Sequence, residues 1–263
     1  MSSLEIALLA LAALAAGTVD AIAGGGGLVT LPALLAAHVS PLAALATNKG
    51  QSVFGSGAAL VAFWRAGRVD RKQARFAFPL AFAGSLAGVA AVSRISNDAL
   101  RPIVLVLLVA AAALLVVKKP TRGPELERGG LAPTRGNATP VPHWGVAAGL
   151  ALLLGAYDGF FGPGVGTFLI VGFVALCGRS LVHASADAKV VNFASNLAAV
   201  AAFAYAGEVR WEIALPMAVG QLVGGVLGAH LAIKGGARVV RVLVLVVSGA
   251  LVAKLAYQLA TGS

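Results

Sequence analysis

Two lysines, Lys49 and Lys189, stand inside stretches that are otherwise dominated by small and apolar residues. Each is followed by polar side chains three and seven positions later: Ser52 and Ser56 after the first, Asn192 and Asn196 after the second. That spacing stacks them on one face of an α-helix. Asn48 and Gln51 flank the first stripe. A charge inside a membrane helix costs about 3 kcal/mol or more, so it implies a partner or a task. An ammonium group beside amide and hydroxyl groups is a chemistry suited to a small anion. Three readings of the lysines stay open: they line a pathway, they form structural ion pairs with Asp20 and Asp158, or they snorkel to an interface. The first two overlap, because a pair can open to admit an anion.

Glycine clusters supply a second kind of donor. Gly24-Gly25-Gly26-Gly27 precedes the short apolar piece Leu28–Ala37, and Gly162-Pro163-Gly164-Val165-Gly166 opens the piece Val165–Cys177. Pieces of this length rise only about half a bilayer, so they read as half-helices after a break. The start of such a piece exposes backbone N–H groups and a partial positive charge. Gly25, Gly26 and Gly164 are therefore candidate anion-binding positions beside Asn48, Lys49, Ser52, Ser56, Lys189, Asn192 and Asn196. Broken helices at matching places in two halves point to a transporter's binding site. Close helix packing through glycine is a compatible second use of the same residues.

The elements that must position these groups are membrane helices. Of the 263 residues, 59% are apolar and only 11% charged, too few charges to cover a soluble surface. The mean hydropathy of +0.90 makes the bilayer the main solvent. The net charge of +10 does not indicate nucleic acid, since most basic residues lie between apolar segments, as in cytoplasmic loops. Full spans are expected at about 4–23, 42–64, 76–93, 100–117, 144–161, 183–206, 213–234 and 239–259, eight in all, with two half-helices. The first reads as a retained helix, because no basic residue precedes it. The fold class is thus an all-α polytopic membrane protein.

Residues 118–142, rich in proline, glycine and charge, divide the chain as a linker between a first repeat at 1–117 and a second at 143–263. Gly17-Thr-Val-Asp20-Ala-Ile-Ala-Gly24 lines up with Gly155-Ala-Tyr-Asp158-Gly-Phe-Phe-Gly162, and Lys49, Ser52 and Ser56 with Lys189, Asn192 and Asn196. Gly67-Arg-Val69 and Pro79 line up with Gly207-Glu-Val209 and Pro216. Matches in the same order indicate an internal repeat. Loop 65–75 is strongly basic and its counterpart after Gly207 slightly acidic. Counting each half-helix as a completed crossing gathers the basic loops 65–75, 118–143, 178–182 and 234–241 on one side, as the positive-inside rule requires. Inverted repeats follow from that count, with both termini outside.

Competing chemistries find little support. Gly162-Pro-Gly-Val-Gly166 lacks the Gly-Lys-Ser/Thr of a P-loop. Tyr157-Asp158 lacks the second aspartate setting of an intramembrane aspartyl protease. Ser56 with a distant histidine is an incomplete serine-protease set. His38, His143, His183 and His230 have no metal-ligand spacing. Cys177, the single cysteine, excludes an intramolecular disulfide.

The motifs together resemble the TauE/SafE family of sulfite and organosulfonate exporters, also called TSUP, in its YfcA-like branch. The residues that carry the resemblance are Gly17-Thr-Val-Asp20-Ala-Ile-Ala-Gly-Gly-Gly-Gly27, Leu31-Pro32, Ser40-Pro41 through Thr47-Asn48-Lys49, Tyr157-Asp158-Gly-Phe-Phe-Gly162-Pro163, Ala188-Lys189-Val-Val-Asn192 and Ser195-Asn196. The resemblance implies a secondary carrier of the inner membrane with small sulfur-containing anions as substrates. The expectation is therefore a transporter and not an enzyme, without a cofactor. Its partners would be a small anion, the lipid bilayer and a second copy of the chain in a homodimer, with no nucleic acid. Asp20 and Asp158 would pair with the lysines or carry protons. The rival readings are a channel or carrier for another solute such as a metal ion, an intramembrane enzyme, and a membrane scaffold without transport.

Overall fold

The computed structural model describes residues 1–117 and 144–235, and the expected linker and the last expected span lie outside them. Nine α-helices occupy the described residues, which contain no strand. In chain order they are α1 Ser3–Ala23, α2 Gly27–Ala36, α3 Pro41–Arg65, α4 Arg71–Val92, α5 Asn97–Val117, α6 Trp144–Phe160, α7 Val165–Cys177, α8 Leu181–Tyr205 and α9 Trp211–Gly235. By length and composition, α1, α4, α8 and α9 are long and apolar enough to cross a membrane. The chain is a multi-pass membrane protein.

Helix ends follow local chemistry. Ser2 and Glu5 close a capping box on α1, satisfying two N–H groups that the first turn leaves free. Pro41 opens α3, where its missing N–H costs nothing. Asp70 caps α4 by accepting the N–H groups of Lys72 and Gln73. This cap explains why α4 begins several residues before the expected position. Hydropathy does not register a first turn containing Arg71, Lys72 and Arg75, whereas a capped backbone forms it readily.

Without water to drive apolar faces together, membrane helices associate by close packing of small residues. A side chain at Gly84 or Gly88 of α4 would overlap the carbonyls of Leu152 and Ala156 on α6, and Gly155 and Gly159 meet Ala81 and Ser85 in return. On the other flank Gly220, Gly224 and Gly228 of α9 lie against Ala10, Leu14 and Thr18 of α1. Between these flanks α3 and α8, each of 25 residues, pack on one another. Large apolar side chains such as Leu8, Leu11, Val106, Leu153, Val219 and Leu231 remain exposed on the outer faces, as lipid-facing surfaces should.

Both broken pairs turn back on themselves. Gly26 packs against the Ala16 carbonyl and the Asp20 side chain, which sets α2 beside α1. Met1 and the α2–α3 turn at His38 and Ser40 then line one surface cavity with Arg210, so α2 returns to the end where α1 began. In the second pair, Trp144 at the start of α6 stands edge-on to Phe76 in α4. Arg179, just after α7, reaches Asp70 at the start of α4, so this pair too returns to its starting end. In each pair the half-helix thus ends on the side where the helix before it begins, the return that the loop-charge count assumed.

Candidate functional site

The two breaks meet at the centre of the molecule. At Gly24 the backbone has φ +74°, a conformation that side chains with a Cβ rarely adopt. A Cβ there would overlap the backbone nitrogen of Thr167 and the carbonyl carbon of Gly166. Gly27 likewise faces Pro163, at 3.3 Å from where its Cβ would lie. Thr167 ties the breaks together by donating its hydroxyl to the Ala23 carbonyl at 2.8 Å.

Around this junction the lysines pair crosswise. Lys49 on α3 donates to Asp158 Oδ1 on α6 at 2.5 Å and to Asn196 Oδ1 on α8 at 3.1 Å. Lys189 on α8 donates to Asp20 Oδ2 on α1 at 2.7 Å. Each lysine thus reaches the aspartate on the other side of the linker. The spacing of residues in sequence contains no information about which aspartate each lysine takes. Both lysines are almost fully buried, so each ion pair must offset two desolvations.

The pairs differ in surroundings. Asp158 is only 3% exposed at its side chain. It is bonded on its second oxygen by the Ser195 hydroxyl. Ser195 is itself held by the Asn192 carbonyl at 3.1 Å, and its own carbonyl accepts from Ser85 at 2.7 Å. Asp20 is 24% exposed. Its other oxygen accepts a single backbone N–H, from Gly26 at 3.2 Å.

A cavity of about 30 Å³ lies between the pairs, lined by Asp20, Gly26, Asn48, Lys49, Asp158 and Asn192, with Ser52, Asn196 and Gln221 also in its wall. That is room for about two water molecules. Lys189 stands behind the wall, fully buried. Of the remaining candidates, Ser56 accepts from Asn196 Nδ2 at 3.3 Å and so braces the wall. Gly25 and Gly164 lie off the cavity, the latter against Phe168 and Ala111. Asn48 Oδ1 is shared by Thr30 at 2.6 Å and Gln51 at 2.8 Å. Asn192 Oδ1 is buried with no hydrogen-bond partner among the described residues.

Ser195, Thr30, Thr167 and Gln221 join the site without having been candidates on sequence grounds. Ser195 and Gln221 carried a usable signal, since each is a polar residue within an expected span. Thr30 and Thr167 sit in the first turns of the half-helices and are indistinguishable in sequence from ordinary membrane threonines that bond their own helix.

One further charged cluster closes one end of the bundle. Arg179 donates Nε and Nη2 to Asp187 Oδ2 at 2.8 and 2.6 Å and lies 3.3 Å from Asp70 Oδ2. The Asp70 N–H bonds Asp187 Oδ1 at 3.0 Å. This joins the α3–α4 and α7–α8 connections. Asp187 is 2% exposed, so Arg179→Ala strands a buried carboxylate. The expected loss is about 2–4 kcal/mol, toward the low side for a buried pair because the arginine is partly solvated. Thermal unfolding of the detergent-solubilised protein, followed by size-exclusion chromatography, measures it.

A family profile described as "Sulfite exporter TauE/SafE" matches residues 9–255. "Probable membrane transporter protein ORF9" of Sinorhizobium sp is 38% identical over 250 residues, covering 95% of this chain and 92% of that one. "Probable membrane transporter protein YfcA" of Escherichia coli (strain K12) is 37% identical over 257 residues, covering 98% and 91%. A "Probable membrane transporter protein" of Haemophilus influenzae is 35% identical over 252 residues, covering 96% and 94%. No solved structure matches.

Proposed function

The chain belongs to the sulfite exporter TauE/SafE family, and from that premise we propose that it is a secondary transporter of the inner membrane that moves a small sulfur-containing oxyanion through the junction of its two broken helices. The observation that carries the reading is the crosswise pairing of Lys49 with Asp158 and of Lys189 with Asp20 around one cavity. Two buried ammonium groups beside neutral amide and hydroxyl groups suit an anion and oppose a metal ion. Opening either pair gives an ammonium to the substrate, and Asn48, Ser52, Asn192 and Asn196 complete the oxyanion's hydrogen bonds.

The same contacts support an inverted arrangement of the two halves. If each broken pair re-enters, the first half makes three crossings by α3, α4 and α5. An odd number places the start of α6 on the opposite side from the start of α1. The parallel packing of α1 with α9 and of α4 with α6 agrees with this path. Arg65, Arg68, Arg71, Lys72, Arg75 and Arg179 then share one end, the cytoplasmic one by the positive-inside rule.

Reconstituted vesicles test the function. Uptake of labelled sulfite, thiosulfate, sulfate or methanesulfonate is expected for at least one of the four, and to be lost in Lys189→Ala protein that still elutes as a folded species. Absence of movement for all four overturns the reading.

A further inference from the structure

The two ion pairs are equivalent in residue type but not in surroundings. Two lysines and two aspartates give the site a formal charge of zero. A bare anion entering it would leave one uncompensated negative charge in a medium that solvates charge poorly. A monovalent anion that arrives with one proton leaves the charge unchanged. The lysines already carry their protons, so a carboxylate must take it. The cavity wall offers two, Asp20 from α1 and Asp158 from α6. The stretches contributed by α2, α3, α7, α8 and α9 add no other acid to that wall. Asp187, on α8, is taken by Arg179 and the Asp70 backbone.

Asp158 is a poor recipient. Lys49 donates to one of its oxygens and the Ser195 hydroxyl to the other. A proton there would oppose both donors, and almost no solvent reaches the group. Asp20 is the exposed member, with one backbone donor and one lysine. The Asn192 amide lines the same cavity wall: Asn192 Nδ2 and Asp20 Oδ1 lie 3.1 and 3.6 Å from where a Gly166 side chain would begin, and the side-chain oxygen Asn192 Oδ1 is buried without a donor among the described residues. A protonated Asp20 carboxyl would bring an O–H donor to that wall.

Resting on the anion-transport reading above, we propose that Asp20 is the site of a co-transported proton: it takes H⁺ from water on the loading side as its pair with Lys189 opens, Lys189 turns to the anion, and both leave together. The proton adds to one carboxylate oxygen, the ion pair breaks, and no other bond changes. On release the proton returns to water and the Lys189–Asp20 pair re-forms. Asp158 and Lys49 stay paired throughout and hold the fixed side of the site.

Vesicles containing the full chain decide the point, with sulfite, thiosulfate, sulfate and methanesulfonate as probes and the membrane potential clamped at zero. In the wild type, one proton is expected to enter per anion carried, seen as an anion-dependent internal acidification. For a monovalent probe such as methanesulfonate, a gradient of one pH unit, acid on the loading side, should give about tenfold accumulation. In Asp20→Asn, gradient-driven accumulation is expected to vanish, while labelled anion still exchanges for unlabelled at equal pH, with raised apparent affinity because Lys189 is no longer occupied. Asp20→Asn protein that accumulates anion as the wild type does overturns the proposal. So does wild-type transport without proton entry, a result that holds even if the variant fails to fold. If no probe moves in the wild type, the functional reading itself falls.

Discussion

Lys49→Ala is expected to cost about 3–5 kcal/mol of stability and to abolish anion uptake. The reason is the state of Asp158 after the change. Its side chain is 3% exposed, so water cannot replace the lost ammonium, and removing one partner of a buried pair costs far more than the pair contributes. Lys49→Met with Asp158→Asn removes both charges and keeps comparable volume. That double variant is expected to recover most of the thermal stability, because buried pairs are often no better than apolar replacements, and to remain inactive in vesicle uptake. The two measurements separate roles that single substitutions confound. A double variant that is stable and transports at the wild-type rate would show the pair to be structural alone. Lys189→Ala should be milder in stability, about 1–3 kcal/mol, since Asp20 is partly solvated and retains the Gly26 N–H.

The helices were largely legible because hydropathy and length report directly on what lipid demands. The expected spans and the observed α1, α3, α5, α6, α7, α8 and α9 agree within a few residues at each end. Val165–Cys177 was placed at both its ends, because the glycines before it and Gly178 after it mark the boundaries, with Gly178 closing α7 at φ +63°. The polar stripes were legible for the same reason: Lys49 and Lys189 stand out in apolar sequence and both are buried. The partnership between them was not. Lys49 meets Asp158 across 109 positions and Lys189 meets Asp20 across 169, and nothing local encodes such a contact. The packing of α2 back on α1 was hidden too: it depends on Gly26 fitting against Ala16 and Asp20, a packing fact with no signature in hydropathy. Ser195 shows a third limit: its polarity within α8 was visible, but its partner Asp158 was not until the fold brought the two together.

The junction of the breaks makes the second large prediction. Gly24→Ala is expected to destabilise the protein by about 3–5 kcal/mol, enough to prevent its recovery as a monodisperse species. Two costs add. The backbone at φ +74° and ψ 172°, a region essentially confined to glycine, disfavours any side chain by about 1–3 kcal/mol, and overfilling a packed interior adds about 1–3 kcal/mol or more. The second cost cannot be relieved by a rotamer change, since the atoms in the way are the backbone of Gly166 and Thr167. Shifting them would move the half-helix that carries the cavity wall. Gly67 provides the control, having φ +66° and no atom within 4 Å of where an alanine methyl would lie. Gly67→Ala therefore incurs only the backbone cost, about 1–2 kcal/mol, and should yield folded, active protein. Comparing the recovery and thermal stability of the two variants sets a positive-φ glycine packed against backbone beside one with open space around it. If Gly24→Ala behaved like Gly67→Ala, the breaks would not abut, and a site built on their junction would lose its foundation.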